Sequence, residues 1–275
     1  MDPTIYTSWN AETARALLLS APLVRRLGAD AGAWTERGLR ILESLWSKAL
    51  ANGLMCRYFD GHSHVRGLLG DQVWSLAAAL AAHTVTGNPL WLERAGRIVE
   101  ASEALYDAEA AGYRDRLPGG AEPGRLSSPA IPFNDNALMA QALAAFAAVS
   151  GETAWDFRAQ SLLGRFRDEY QRYDVFASGY GSAALDVLEP PVDAIIVGEP
   201  RKTAALRDAA LQLTAHPVRV NPIDPTNEAD SDRLERLGYV PSSKGTATAY
   251  LCQDNACFAR VSEPAELSAA LAARR

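Results

Sequence analysis

Three short stretches of the sequence combine polar and aromatic residues in a way that suits an oxygen-rich ligand. They are "TSWN" at 7–10, "GDQVW" at 70–74 and "FNDNA" at 133–137, and Ser8, Asp71 and Asn134 recur at a spacing of 63 residues. Serine, aspartate and asparagine favour helix N-termini, where unpaired N–H groups attract oxygen atoms. We therefore predict a site for a small polar ligand. Its binding residues would be Trp9, Asn10, Gln72, Trp74, Asn134, Asp135 and Asn136.

Acid–base chemistry at such a site needs a titratable pair. Asp71 and His62 are the first choice for catalysis, because a histidine titrates near neutral pH and Asp71 lies at a predicted helix start. The stretch "RYFDGHSH" at 57–64 adds Arg57 and Tyr58 as further ligand contacts. Two alternatives stay open. Asp71 could be a plain N-cap and the tryptophans core residues, and "RYFDGHSH" could be an ordinary solvent-facing turn.

The cysteines allow a reversible disulfide or free thiols, and the histidines do not indicate a metal site. Cys252 and Cys257 stand on either side of a short polar turn between predicted strands, close enough for a reversible disulfide. The chain has three cysteines and no Cys-x-x-Cys motif, which indicates a reducing cytoplasm and therefore buried free thiols. Cys56 is expected in the core. His62 and His64 lack a third ligand at a recognisable spacing, so we predict no metal and no cofactor.

Paired helices must position these residues. Apolar residues at three- and four-residue spacing predict helices near 8–27, 31–51, 71–86, 89–106, 134–149 and 152–172, with a seventh ending before Pro190, and no strand signal is evident in this region. The turns "LGADAG", "TGNP" and "SGET" end one helix and start the next. Stacked helical hairpins bury each other's apolar stripes and bring equivalent helix N-termini to one face. The predicted fold is thus mainly α, an arc of an (α/α) toroid.

After residue 190 the pattern changes. The β-branched runs "VDAIIVGE", "PVRVNP" and "TATAYLCQ", with the helical "RKTAALRDAALQL" between the first two, predict a small α/β domain. We place the toroid arc at 1–189 and the α/β domain at 190–275, because a helix cannot continue through Pro190 and Pro191.

Composition limits the possible partners. A formal charge of −6 gives no reason to expect nucleic acid or an anionic membrane. The sequence shows no secretory signal, and its longest apolar stretch, "WSLAAALAAHTV", is too short and broken to cross a bilayer. We expect a cytoplasmic protein that binds neither nucleic acid nor membrane.

Several stretches together resemble a known family, the spermatogenesis-associated proteins and their bacterial relatives, in which a thioredoxin-like domain precedes an (α/α) toroid. They are "TSWNA", "GLMCRYFDGHSHVRGLLGDQVWSLAAAL", "TGNPLWLERA", "FNDNALMAQAL", "LDVLEPPVDAIIVGEP" and "GTATAYLCQDNACFARVSEPAEL", which span residues 7 to 267. In that family the "TSWN" position lies near the middle of the toroid. The resemblance implies that the thioredoxin-like domain and the first half of the toroid are absent here. A homo-oligomer or a partner chain would then complete the ring.

The toroid of that family is similar to those of six-hairpin glycosidases and N-acylglucosamine or cellobiose epimerases. The resemblance therefore implies a cavity for a sugar or polyol, in which Asp71, Asp135 or Asp60 would supply the carboxylates that glycoside hydrolysis uses. By itself this chain is expected to be inactive. The alternative is a non-catalytic binding or assembly module whose Cys252 and Cys257 form a redox-linked pair.

Overall fold

The computed structural model describes residues 3–119, 124, 128–189, 191–213, 218–240, 245–253 and 256–273. Its helical part consists of hairpins in which a first helix packs on the second and also on the first helix of the next hairpin. The helices are α1 (Thr7–Arg26), α2 (Ala31–Lys48), α3 (Leu69–Thr86), α4 (Pro89–Ser102), α5 (Phe133–Ser150), α6 (Ala154–Phe166) and α7 (Ser178–Leu188). The helix predictions are confirmed, with shifts of a few residues at several ends.

The helices α1, α3, α5 and α7 form the inner row of an arc, and α2, α4 and α6 form its outer row. Gly87 and Gly151, both in the left-handed region with φ of 70° and 79°, end α3 and α5 and allow the tight turns into α4 and α6. In α3 and α5 most residues are buried, because each packs against an outer helix and against inner neighbours. This packing explains their alanine-rich sequences, since small side chains let helices approach closely.

Short strands precede α1 and occupy the loops between the hairpins, in a region where the sequence showed no strand signal. They are β1 (Ile5–Tyr6), β2 (Leu50–Ala51), β3 (Leu54–Phe59), β4 (Ser63–Arg66), β5 (Tyr106–Asp107) and β6 (Gly112–Tyr113). The expectation of an all-helical region was wrong at these loops, because most of these strands are two residues long and form only by pairing with a neighbour. The stretch "RYFDGHSH" lies in the β3–β4 hairpin, and residues 60–62 form its solvent-exposed turn.

The C-terminal part is a four-stranded sheet with helices, as the β-branched runs predicted. Its elements are β7 (Val192–Val197), α8 (Pro200–Leu211), β8 (Val218–Ile223), α9 (Glu228–Leu237), β9 (Thr248–Gln253), β10 (Ala256–Val261) and α10 (Pro264–Ala272). The strand order is β10-β9-β7-β8, with β7 parallel to β8 and antiparallel to β9. Its core is separate from that of the helical arc. The division at residue 190 stays a prediction, and residue 190 itself lies outside the described residues.

A buried polar cluster joins the sheet part to the arc. The Arg233 guanidinium lies 3.1 Å from Nε2 of His83 in α3, 3.1 Å from an Asp230 carboxylate oxygen, and donates to the Pro222 carbonyl at 2.5 Å. His83 and Arg233 are almost completely buried. Burial and the Arg233 charge lower the pKa of His83 to about 3, so the ring is neutral and its Nε2 accepts from Arg233. The cluster fixes the sheet part against the C-terminal end of α3.

No helix in the described part of the chain combines the length and the apolar character needed to cross a membrane.

Candidate functional site

Amide side chains occupy one equivalent position in the first turn of each of α1, α3 and α5. Asn10 donates to the Tyr6 carbonyl at 2.8 Å, Gln72 to Leu68 at 3.0 Å, and Asn136 to Pro132 at 2.8 Å. Tyr6, Leu68 and Pro132 are the N-caps of these helices, and none of them makes a side-chain capping bond. The structural repeat therefore aligns the fourth residue after each N-cap.

This alignment corrects the predicted capping roles. Ser8, Asp71 and Asn134 lie inside the first helical turns, so none of them is the N-cap. Counted from the N-caps, Ser8 and Asn134 are second residues and Asp71 is a third residue. The equivalents of Asp71 are consequently Trp9 and Asp135. A constant 63-residue spacing misses this shift, because the two loops that precede α3 and α5 differ in length.

Two of the amides attach the loops to the helices. The Gln72 amide accepts from the Met55 N–H at 2.8 Å and donates to its carbonyl at 2.9 Å. The Asn136 amide does the same with Tyr113, at 2.7 Å and 2.9 Å. Both side chains are completely buried. Because their hydrogen-bonding atoms are taken by the backbone, Gln72 and Asn136 position the strands β3 and β6 beside the site and are out of reach of a ligand.

The Asp71 carboxylate lies between α1, α3 and β3. Its Oδ1 accepts from the Ser8 N–H at 3.0 Å and lies 3.4 Å from the Arg57 guanidinium, which also donates to the Ser8 hydroxyl at 2.8 Å. Asp71 has no solvent exposure, and its Oδ2 has no partner among the described residues. Burial raises the pKa of Asp71 to about 6, against the opposing effects of Arg57 and the Ser8 N–H.

Catalysis by Asp71 with His62 stays a prediction. His62 lies in the exposed turn between β3 and β4, and no hydrogen bond or ion pair joins it to Asp71 among the described residues. Asp60, in the same turn, instead pairs with His64 at 2.8 Å. The part of the chain that the structure describes contains no group of three or more metal-ligating residues.

Asp135 offers a more accessible carboxylate. It is half-buried and makes no hydrogen bond within the described ranges. Burial and the Asp115 charge raise its pKa, while Arg57 opposes the shift. A Cβ atom at Gly70 would lie 3.5 Å from its Oδ2, which is van der Waals contact, so the first turn of α3 packs beside this carboxylate without a side chain over it. Asn134, one residue earlier, is exposed.

Aromatic rings line the outer edge of the same face. The Trp9 ring is 59% exposed and lies 4.6 Å from the Tyr6 ring, and the Arg57 guanidinium carbon lies 5.7 Å from each of these rings. The centre of the Tyr6 ring also lies 5.8 Å from the centre of the Tyr58 ring. Trp74, by contrast, is half-buried against the core of the arc.

The structure therefore brings Trp9, Arg57, Asp71 and Asp135 together and leaves His62 apart. We call the group formed by the exposed Trp9 and the half-buried Tyr6, Arg57, Tyr58 and Asp135 the helix-start face. Sequence reasoning missed Tyr6 and Asp115. Tyr6 could have been found, since it immediately precedes "TSWN", whereas no pattern marks Asp115.

The C-terminal cysteines are joined. Cys252 in β9 and Cys257 in β10 are direct cross-strand partners with Cα atoms 3.8 Å apart, and they form a disulfide. The prediction that they are close enough to bond is confirmed, and the expectation of buried free thiols was wrong, because Cys257 is exposed and pairing places it opposite Cys252. The Tyr239 hydroxyl lies 3.3 Å from the Cys252 sulfur. Cys56 is a buried free thiol, as predicted. The turn residues 254 and 255 lie outside the described residues.

The arc resembles a solved enzyme. The cellobiose 2-epimerase from Spirochaeta thermophila DSM 6192 matches 69% of this chain with a TM-score of 0.53 and 16% sequence identity. The helical region has an α/α-toroid fold. The chain spans 55% of the length of that epimerase chain. No protein-family model matches the sequence. A search of curated proteins also gives no match, so the resemblance to the thioredoxin-linked family stays a prediction.

Proposed function

We propose that the helix-start face binds a carbohydrate or a similar polyol, and that the chain is part of a carbohydrate-enzyme-like protein. The observation that carries this proposal is the 59% exposed Trp9 ring beside the Arg57 guanidinium and two carboxylates with raised pKa. Trp9 is not isolated, because its ring adjoins Tyr6 and Tyr6 adjoins Tyr58, and a group of aromatic rings with polar side chains beside it is typical of a ligand site. The epimerase-like toroid fold supports the same proposal.

Each residue of the face has a chemical role in the proposed complex. The Trp9 ring stacks on the C–H face of a sugar ring, and the Arg57 guanidinium donates hydrogen bonds to hydroxyl oxygens. The Asp135 carboxylate accepts from hydroxyl groups, since it has no competing partner among the described residues. Asn134 is exposed beside it and offers a further amide.

Asp71 has a positioning role in this proposal. Its carboxylate holds Arg57 and the start of α1 in place, and its complete burial keeps it from a ligand that approaches the face. Asp135 is then the carboxylate available for acid–base work, and its raised pKa suits that work. We propose binding rather than turnover for this chain by itself.

Titration of mono- and disaccharides by calorimetry tests the proposal. Trp9→Ala should weaken binding roughly tenfold or more, because stacking on one aromatic ring contributes on the order of 1–3 kcal/mol in an otherwise open site. Phe157→Ala is the matched control, since Phe157 is 70% exposed on α6 and belongs to no part of the face. The proposal fails if the unaltered chain binds no saccharide, or if Trp9→Ala binds as tightly as the unaltered chain.

The disulfide favours a second candidate function, that of a docking module that exchanges disulfides with a partner. The Cys257 side is exposed, so a partner thiolate can attack the Cys257 sulfur and displace the Cys252 thiolate. A second partner thiol then displaces Cys257, which leaves this pair reduced and the partner oxidised. Burial, with a further contribution from the Asp193 charge, raises the pKa of the neighbouring Tyr239, so its hydroxyl keeps a proton near the sulfurs.

Thiol counting tests this second candidate. In denaturant without reductant the chain should show one reactive thiol, Cys56, and three after reduction. A native sample treated with a dithiol should gain two thiols without unfolding, and Cys56→Ser removes the background signal. Three thiols in the unreduced sample, or a disulfide that only reacts after unfolding, would exclude the exchange role.

A further inference from the structure

A second concave site lies away from the helix-start face. It is a cavity of about 300 Å³ between the inner helices and the sheet part, lined by residues of α1, α3, α5 and α7, by Pro191 and by the start of β8. None of the lining residues that the structure describes belongs to the outer helices α2, α4 and α6. A cavity of this size is within the range of small-molecule sites. We call it the inner pocket.

The structural repeat builds the inner pocket. The ninth residues after the N-caps of α1, α3 and α5 are Arg15, Ala77 and Gln141, and all of them line it. The residues one turn later, Leu19, Ala81 and Ala145, line it too. One stripe on each inner helix therefore faces the same hollow. Arg15 and Gln141 are the polar residues among these six, and the other four are alanine or leucine.

Arg15 lines this pocket without a direct ion-pair partner among the described residues. It is half-buried, and it makes no hydrogen bond or ion pair within the described ranges. Burial lowers its pKa, while the charges of Glu12 and Asp186 oppose that shift. The other lining arginine, Arg219, is already occupied, since it makes a bidentate pair with Asp193 at 2.6 Å and 2.9 Å. A guanidinium in an apolar hollow is costly without an anion, so Arg15 favours an anionic group of a ligand.

A carboxylate lines the same pocket as Arg15. Asp186 of α7 accepts from the Gln141 amide at 2.5 Å through Oδ2, and it forms no ion pair with Arg15 within the described ranges. Gln141 thus orients Asp186 while Oδ1 remains for another donor. Besides Arg219, which is paired with Asp193, the described lining has one further cation, Arg15, and one carboxylate, Asp186, and these two make no direct ion pair. The apolar wall beside them includes Leu19, Leu80 and Leu138.

We infer that the inner pocket binds a free α-amino acid with an apolar side chain. Its carboxylate would pair with Arg15, its ammonium group with Asp186, and its side chain would lie on the leucine and alanine wall. A carboxylic acid without an amino group would place its negative charge near that of Asp186, with no cation between the two charges. An amine without a carboxylate would place its positive charge near that of Arg15. A sugar would leave the apolar wall uncovered. Only a zwitterion with an apolar body matches both charges and the wall.

Leucine is the probe for calorimetry and for NMR titration. We expect leucine to bind, and 4-methylpentanoate and 3-methylbutylamine, which each lack one charge, to bind roughly tenfold more weakly or worse. Arg15→Gln and Asp186→Asn should each weaken leucine binding by about the same factor. Arg40→Gln is the matched control, because Arg40 is exposed on α2 and pairs only with Glu36 among the described residues.

A third variant tests the volume of the pocket. Ala145→Phe places a ring in the hollow and should abolish leucine binding, with thermal melting to show that the variant is folded. The inference is overturned if the unaltered chain binds no leucine at millimolar concentration, if Arg15→Gln binds it equally well, or if 4-methylpentanoate binds as tightly as leucine. Trp9→Ala should leave leucine binding unchanged, so this result is independent of the proposed sugar site.

Discussion

The starts of α3 and α5 share one backbone arrangement and differ in chemistry. Each has a buried amide, Gln72 or Asn136, that clasps a loop residue through both its N–H and its carbonyl. Each has an aspartate one residue earlier. Asp71 is completely buried and bonded to Ser8 and Arg57, whereas Asp135 is half-buried and has no hydrogen bond within the described ranges.

The two aspartates differ because different residues pack against the two helix starts. The start of α1 lies over Asp71 and offers the Ser8 N–H, and β3 adds Arg57. Beside Asp135 the neighbouring residue is Gly70, which has no side chain to cover it. The same position in a repeat can therefore hold a structural carboxylate in one unit and an accessible carboxylate in the next. Repetition fixes the geometry of a site, and the adjacent unit decides its chemistry.

The largest expected effect tests the buried amides that the starts of α3 and α5 have in common. Gln72→Ala and Asn136→Ala should each lower the free energy of unfolding by about 3 to 4 kcal/mol, because each removes three hydrogen bonds and leaves buried backbone groups of Met55 or Tyr113 without these partners. Urea denaturation measures the change.

Asn10→Ala is the matched control for both variants. Asn10 makes one bond to the Tyr6 carbonyl and is half-buried, so its loss should cost about 1 kcal/mol. If all three substitutions cost the same, the amides of α3 and α5 have no special role in holding the loops, and the structural equivalence of these helix starts would be of no energetic consequence.

A smaller effect tests the difference between the two aspartates. The pKa of Asp71 is raised from 3.8 to about 6 in the folded chain, so between these values the folded state binds a proton that the unfolded state has released. Its contribution to stability is therefore lost as the pH rises through this window. Relative to Asp71→Asn, the unaltered chain should lose about 2 to 3 kcal/mol of unfolding free energy between about pH 4 and pH 7.

The corresponding variant Asp135→Asn gives the comparison. The pKa of Asp135 is also raised, so its effect has the same sign, and its access to water should make the effect smaller. Urea denaturation at a series of pH values measures both differences. The difference in unfolding free energy between the unaltered chain and each variant is then compared across pH. If this difference changes equally with pH for Asp71→Asn and Asp135→Asn, Asp135 is as enclosed as Asp71 and is not the accessible carboxylate of the helix-start face.

The sequence was a good guide to elements with strong local signals. Helix bounds such as Thr7–Arg26 and Pro89–Ser102 agree with the apolar spacing and with the glycine and proline signals, and the three β-branched runs after residue 190 are strands. The helix starts were less accurate. Aspartate and asparagine are favoured both at N-caps and in first turns, so local preference could not show that Leu68 and Pro132 are the caps.

At the candidate site, too, local residue preference could not show what each side chain contacts. Residue type suggested that Gln72, Asn136 and Asp71 contact a ligand, but their hydrogen-bond partners Met55, Tyr113 and Ser8 come from other segments and take up their polar atoms. Arg15 drew no attention in the sequence, because a single arginine in a helix normally faces solvent. It matters only because the four inner helices bring it to the wall of a shared pocket.

By itself, the sequence determined the paired helices, the change to α/β structure near residue 190 and the proximity of Cys252 to Cys257, because helix and strand periodicity and turn residues are local properties. Only the tertiary structure decided which polar groups are buried, which are paired and which face a hollow. Those properties depend on contacts between segments far apart in the chain, such as Ser8 with Asp71 and Gln141 with Asp186. Desolvation and pairing by such neighbours set the pKa and the accessibility of each group.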